Sequence, residues 1–337
     1  MLTTRQPFIE NYLPSLECQV LQDNVHSIEA VNLSKVYGSF TALSNLNLKI
    51  EGAKCVGFLG PNGAGKTTTL KMLTDLIRPS SGKALIDGIN VHTHKRQALN
   101  SVGSVIETPE IYPSLTPREA LGMIAELRGV KHSEKKRRIE EVVEEVRMSE
   151  WIDKRIGKFS KGMKQRICVA SALLHDPSVI ILDEPTTGLD PRGMSEVKDI
   201  VKSLKNKNRL IFMSSHILSE VADICDEVAI IDHGKLLVYD TLPKVTAKFS
   251  GGETVLEVGF SRPLGDGILR STIPAISGVT STERRDEMNV ILRYNGTVAA
   301  QEQILKELVK LDVGLISYRP ATSALEEVYL NLISDSR

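Results

Sequence analysis

The stretch Gly60-Pro61-Asn62-Gly63-Ala64-Gly65-Lys66-Thr67-Thr68 constrains this chain more than any other. Gly60, Gly65, Lys66 and Thr67 satisfy the spacing G-x-x-x-x-G-K-[ST] at every fixed position. Such a loop belongs between a buried strand and the N-terminus of a helix. Its backbone N–H groups must close around a phosphate, where a side chain on the glycines would intrude, and the helix end adds a partial positive charge. The flanks agree. Cys55–Leu59 is an apolar run with the look of a buried strand, and helix signals run from Lys66 to Ile77, ending at the turn cluster Arg78-Pro79-Ser80-Ser81-Gly82. Residues Gly60 to Thr68 are therefore expected to cradle a nucleotide. Lys66 would reach its terminal phosphates, and Thr67 would turn its hydroxyl to Mg²⁺.

A phosphate loop of this kind needs an acidic partner at the end of another buried strand. Val179-Ile180-Ile181-Leu182 is such a strand, and Asp183-Glu184 follow it. Asp183 is expected in the Mg²⁺ shell, and Glu184 is expected to orient and polarise an attacking water.

Further β-like runs lie at Ile28–Leu33, Leu46–Ile50, Arg209–Ser214 and Glu227–Asp232, with a helix candidate before each of the last two. Strands alternating with helices predict an α/β fold with a mainly parallel sheet and a small antiparallel β region. Residues 116–176 read as a helical subdomain. It is opened by Thr116-Pro117-Arg118-Glu119, which has capping-box spacing, and it continues through Ser133–Arg147, a charged amphipathic segment. Beyond about residue 245 the style changes. Glu253–Phe260, Asn289–Tyr294 and Val313–Tyr318 look like strands, and Ala299–Leu311 and Ala324–Ile333 like helices, which predicts an accessory α+β domain over 246–337. Residues 1–25 show no period and are expected to form an arm, leaving 26–245 as the main domain.

Composition limits what such a protein can do. The 337 residues suit about two domains, and 42 Lys plus Arg against 42 Asp plus Glu leave no net charge. That balance argues against binding nucleic acid or an anionic membrane through bulk charge, so no nucleic-acid partner is expected. The four scattered cysteines, Cys18, Cys55, Cys168 and Cys225, suggest reduced thiols rather than a disulfide frame or a zinc site. No apolar run is long enough to span a bilayer, and the first residues lack a secretory pattern, so the expected place is the cytoplasm.

Between the two acid-and-phosphate motifs lies Phe159-Ser160-Lys161-Gly162-Met163-Lys164-Gln165-Arg166, which resembles the signature motif of ABC-type ATPases. Thr187-Gly188-Leu189-Asp190-Pro191 resembles that family's D-loop, Ser214-Ser215-His216 its switch histidine, and Tyr37 the aromatic that stacks on adenine. The resemblance covers about residues 27–245 and implies a P-loop ATPase that binds Mg-ATP. It implies that His216 contacts the γ-phosphate, and that Ser160 and Gly162 do so from the facing subunit. Asp190 would belong to the same nucleotide sandwich. Two departures stand out. Lys161 and Met163 replace Gly and Gln of the common signature, in a version similar to the exporter branch related to bacitracin and daunorubicin resistance. Glu107, in Val105-Ile106-Glu107-Thr108-Pro109, stands where the family usually has a Gln that contacts Mg²⁺. A carboxylate can still ligate the metal, though it adds a charge and loses the amide's donor.

One phosphate loop and one signature in one chain imply a pair of subunits, this chain with a second copy or a close homologue, holding two ATP between them. The resemblance further implies transport, most simply export, through separate polytopic membrane subunits that dock near Glu107–Thr116, where Tyr112 and Leu115 offer apolar contacts. The subunit would then sit on the inner face of the membrane. A soluble ABC ATPase acting on ribosomes or DNA is the alternative. It is disfavoured by the single ATPase half and the lack of a heptad array or basic tail. A GTPase lacks support, since Asn206-Lys207-Asn208-Arg209 has no Asp at its fourth place.

Overall fold

A computed structural model describes residues 25–107, 111–249, 253–295 and 298–320. The arm expected over 1–25 falls almost wholly outside these residues, and the helix expected over Ala324–Ile333 falls entirely outside them. The chain opens with β1 (Ser27–Tyr37), β2 (Phe40–Glu51), β3 (Cys55–Leu59), α1 (Lys66–Leu73), β4 (Ser81–Ile86) and β5 (Ile89–Asn90). It continues with α2 (Lys95–Ala98), β6 (Val102–Val105), α3 (Pro117–Leu127), α4 (His132–Glu145), α5 (Lys161–Leu173) and β7 (Val179–Asp183). Next come α6 (Pro191–Lys205), β8 (Leu210–Ser215), α7 (Leu218–Ile224), β9 (Glu227–Asp232), β10 (Lys235–Thr241) and α8 (Leu242–Phe249). The last elements are β11 (Glu253–Phe260), β12 (Val279–Arg284), β13 (Asn289–Asn295), α9 (Val298–Lys310) and β14 (Leu315–Pro320).

The central sheet has the order β10-β9-β3-β8-β7-β6, parallel throughout except for β10. Its inner strands β3, β7 and β8 are buried along their whole length, which is why they read as continuous apolar runs. Alternate residues feed two cores. Phe58, Ile181 and Phe212 join one cluster with Leu70 of α1 and with Leu33 and Leu46 of the antiparallel sheet β2-β1-β4-β5. Leu59, Leu182 and Met213 join the other, with Leu121, Val143 and Ile167 of the helical segment. The third sheet, β12-β13-β11-β14, is antiparallel, and Leu256, Val258 and Phe260 pack with Ile304 and Leu308 of α9. This is the α/β architecture expected, with separate antiparallel sheets.

Parallel register does the positioning. Leu59 lies beside Ser215, Asp183 beside Ser214, and Val105 beside Leu182. The phosphate loop, the acidic pair, the Ser-Ser-His turn and Glu107 therefore leave the same edge of the sheet, where α/β folds place their ligands.

Three local expectations need correction. Helix α1 ends at Leu73 and not at Ile77, because Asp75 turns into the left-handed region at φ +55°. Ser81 and Gly82, expected as turn, begin β4. Gly82 lies at φ +83°, where an added Cβ would sit 2.2 Å from Asn32 O, so this glycine allows a close strand approach. Strand β12 was not expected, because Val279–Arg284 is largely exposed and carries no two-residue apolar alternation. The capping box at Thr116 forms as expected, with Thr116 accepting from Glu119 N and the Glu119 carboxylate accepting from Thr116 N.

The Phe58 and Phe212 rings, 5.2 Å apart between centroids, fill the centre of the core beneath the phosphate loop. Phe212→Ala should cost about 3–5 kcal/mol of stability. Denaturant unfolding without nucleotide measures this, and a loss within error of zero would mean the site collapses freely.

Candidate active site

The phosphate loop is held open by its own backbone. Gly65 takes φ +103°, and a Cβ there would lie 2.6 Å from Ala42 O; a Cβ on Gly60 would lie 2.3 Å from Ile231 O. The turn between β9 and β10 supports the loop, with Gly234 N donating to Ala64 O at 3.1 Å and Ser44 N to Gly234 O at 2.8 Å. Because Gly65 is the N-cap of α1, no side chain caps the helix, and its first turn holds no acid. The free N–H groups and positive helix end are left for an anion.

Lys66 is only 4% exposed. Its ammonium donates to the carbonyls of Gly60 at 2.8 Å and Pro61 at 3.1 Å and lies 3.4 Å from the Glu184 carboxylate. A cavity of about 240 Å³ opens above it. It is lined by Tyr37, Phe40, Ala42, Asn62, Gly63, Gly65, Lys66, Thr67, Thr68 and Glu184. Tyr37 is half exposed at the tip of the β1–β2 hairpin, directly opposite Phe40, which is more exposed still. Two neighbouring aromatic faces at the mouth can stack on a flat base.

Below the cavity, Asp183 accepts hydrogen bonds from the hydroxyls of Thr67 at 3.2 Å and Ser214 at 2.6 Å. It is buried, and among the described residues no Lys, Arg or His pairs with it. Hydroxyl and carboxylate oxygens converging without a cation suit Mg²⁺, which takes one or two protein ligands and completes its shell with phosphate and water. Consistent with that division, no cluster of three or more His, Cys, Asp or Glu among the described residues could hold a metal alone.

Glu184 follows with φ +44°. One of its oxygens accepts from the Thr187 hydroxyl at 2.9 Å and meets His216 Nδ1 at 3.1 Å. Burial pulls its carboxyl up, but the Thr187 hydroxyl, Lys66 and His216 outweigh burial and hold it below the usual carboxylate range. At neutral pH it is therefore an ionised, acceptor-only group that can take the proton side of a water.

The remaining expected residues lie elsewhere. Ser160 is the exposed N-cap of α5, its side chain accepting from Met163 N at 3.2 Å. Gly162 backs onto Gly193, whose Cα would be 3.2 Å from an added Cβ. Asp190 is the N-cap of α6 and makes no side-chain capping bond. None of these three lines the cavity. Glu107 is paired with the Lys71 ammonium on α1.

Sequence reasoning missed Phe40 and Lys71, and quoted Thr187 and Ser214 without giving either a role. The spacing Tyr37-Gly38-Ser39-Phe40 already carries a signal for Phe40, since a two-residue hairpin sets its flanking side chains on one face.

The profile of the ABC transporter family matches residues 43–187. A shorter match, to a family described as AAA domain, putative AbiEii toxin, Type IV TA system, covers residues 155–222 and leaves out the phosphate loop. Bacitracin transport ATP-binding protein BcrA of Bacillus licheniformis is 46% identical over 226 residues, 66% of this chain and 73% of the relative. Linearmycin resistance ATP-binding protein LnrL of Bacillus subtilis is 31% identical over 309 residues, 90% of this chain and 97% of the relative. A solved ATP-binding subunit of an ABC transporter superposes with a TM-score of 0.59 at 30% identity, covering 66% of this chain and 92% of that one. With the phosphate loop, the buried Asp183 and the ionised Glu184 assembled on one sheet edge, these likenesses identify the chain as an ATP-hydrolysing, ATP-binding subunit of the ABC transporter family.

Proposed function

We propose that this subunit pairs head to tail with a second copy, or a close homologue, around two Mg-ATP and drives export through separate membrane subunits. One observation carries the pairing. Ser160 and Gly162 stand outside the cavity that Lys66, Thr67 and Glu184 line. The N-terminus of α5 has a hydroxyl cap and no acid in its first turn, and so is an anion-binding end that needs a phosphate from elsewhere. A twofold partner brings one, and Asp190 at the neighbouring helix end lies in the same interface.

The residues then divide the work. Tyr37 stacks on adenine, while Gly60 to Thr68 wrap the phosphates. Phosphate oxygens replace the Gly60 and Pro61 carbonyls and the Glu184 carboxylate as partners of Lys66. Glu184, released from Lys66, accepts a hydrogen bond from the attacking water, and His216 holds it in place while reaching the γ-phosphate. Thr67 and Asp183 would hold Mg²⁺, which would supply positive charge to offset that on the phosphoryl oxygens.

Among the described residues no helix is long and apolar enough to cross a membrane, so the conduit belongs to other chains. An apolar surface for them lies where the helical segment meets the sheet. Tyr112 is 70% exposed, Met123 50% and Leu127 86%, whereas Leu115 packs inward against the core. The subunit is thereby peripheral on the inner face of the membrane. The export reading is supported by the relatives' names, bacitracin transport and linearmycin resistance, since outward movement of a toxic compound is one route to resistance. The proposed accessory domain over 246–337 contains, among the described residues, the β12-β13-β11-β14 sheet with α9. The alignment with LnrL is long enough to include it.

Three outcomes are expected. Glu184→Gln should keep ATP binding, lose turnover by at least about a hundredfold, and accumulate an ATP-dependent dimer by size exclusion with light scattering. A monomer under saturating ATP would sink the sandwich. Lys66→Ala should weaken ATP binding by about ten- to a hundredfold in calorimetry, since a charge-assisted contact is removed. Tagged full-length chain should co-purify a polytopic membrane protein, and Tyr112→Asp should reduce its yield; recovery of ribosomes in its place would favour the soluble alternative.

A further inference from the structure

We infer that Glu107 acts through Lys71 and not through the metal, as an ionic joint that ties the chain leaving β6 to the phosphate-loop helix. The inference rests on the Mg-ATP site proposed above.

Register sets up the problem. Val105 lies beside Leu182, so Glu107 emerges level with the Asp183-Glu184 pair, and these three carboxylates share the sheet edge with Asp232 at the end of β9. Helix α1 supplies two cations to that edge. Lys66 faces Glu184 at 3.4 Å, and Lys71 holds Glu107. Among the described residues, Asp183 receives the hydroxyls of Thr67 and Ser214. The carboxylate without a protein cation is the one a divalent ion will seek. Glu107 already has its counter-charge. Drawing it into the Mg²⁺ shell would strip it from an ammonium to join Asp183 and the phosphates, packing more negative charge into the same few ångströms.

Helix geometry supports the same division. Lys71 follows Thr67 by one turn on the same face of α1, so it holds Glu107 one turn further along the helix than the magnesium-binding hydroxyl. Glu107 takes φ +61°, a left-handed conformation that a glutamate adopts at some cost, with its carboxylate on Lys71. A neutral amide at this position could not form that ion pair, so the acid here is matched to the lysine. Any shift of α1 on nucleotide binding then reaches the chain at 107 directly. That chain leads on to the capped start of α3 at Thr116.

The test uses the full-length chain and a fluorescent ATP analogue titrated with MgCl₂. Glu107→Gln should leave the Mg²⁺ half-saturation within about twofold, whereas Asp183→Asn should raise it about tenfold or more. Hydrogen exchange at residues 102–107 and 111–116 should rise several-fold in both Glu107→Gln and Lys71→Gln. The exchanged pair, Lys71→Glu with Glu107→Lys, should return it toward the parent value. A shift of about fivefold or more in Mg²⁺ half-saturation for Glu107→Gln, absent in Lys71→Gln, would make Glu107 a metal ligand and overturn the inference. So would failure of the exchanged pair to restore protection. Should Asp183→Asn leave the Mg²⁺ dependence unmoved, the Mg-ATP site itself is wrong, and the exchange data still decide whether the joint exists.

Discussion

Asp183 is a buried carboxylate to which the described protein offers hydroxyls but no cation. A charge removed from water in this way is expensive unless something positive arrives. The arrangement around it keeps that place open. Lys66 faces Glu184 and two backbone carbonyls, and Lys71 is occupied by Glu107. Thr67 and Ser214 fix the carboxylate's orientation without neutralising it. Under the proposed Mg-ATP reading, a divalent ion arriving with its nucleotide would supply that positive charge.

That arrangement depends on a sheet edge where strands from distant parts of the chain end at one level. Leu59 beside Ser215 and Asp183 beside Ser214 are consequences of parallel pairing, and a one-residue slip would turn Asp183 to the opposite face. Two cores, one on each face of the sheet, specify the register. Phe58, Ile181 and Phe212 point one way, while Leu59, Leu182 and Met213 point the other. The positions that perform chemistry are therefore held by residues that perform none.

Much of this was legible beforehand because it is local. The cradle Gly60–Thr67, strand β3, strand β7 with its acidic end, and the Thr116 box each depend on residues within a few positions of one another. Misses arose where a long-range partner decided the outcome. Ser81 and Gly82 look like a turn until β1 is laid against them. Thr187 and Lys71 carry no signal alone. Their meaning comes from carboxylates that folding brings near, at Glu184 and Glu107. Glu107 could be noticed in sequence as a departure, but the lysine that answers it sits 36 positions away.

The helix ends carry the last step. Of the two N-termini that can face phosphate, α1 opens into its own chain's cavity, whereas α5 is capped by an exposed serine and borders no cavity wall beside Lys66. Gly162 lies so close to Gly193 that α5 and α6 begin side by side, and Arg166 joins Glu196 one turn further on at 3.2 Å. Two parallel helix starts repel each other through their dipoles unless negative charge lies near both. Glu196 supplies some of it internally, and Asp190 adds some at the cap of α6, but the cap of α5 is a neutral hydroxyl. Under the head-to-tail reading, the partner's γ-phosphate supplies the missing negative charge. The same contact would then both stabilise the paired helix starts and sense whether ATP has been hydrolysed, because loss of the γ-phosphate returns the two positive ends to mutual repulsion and favours reopening.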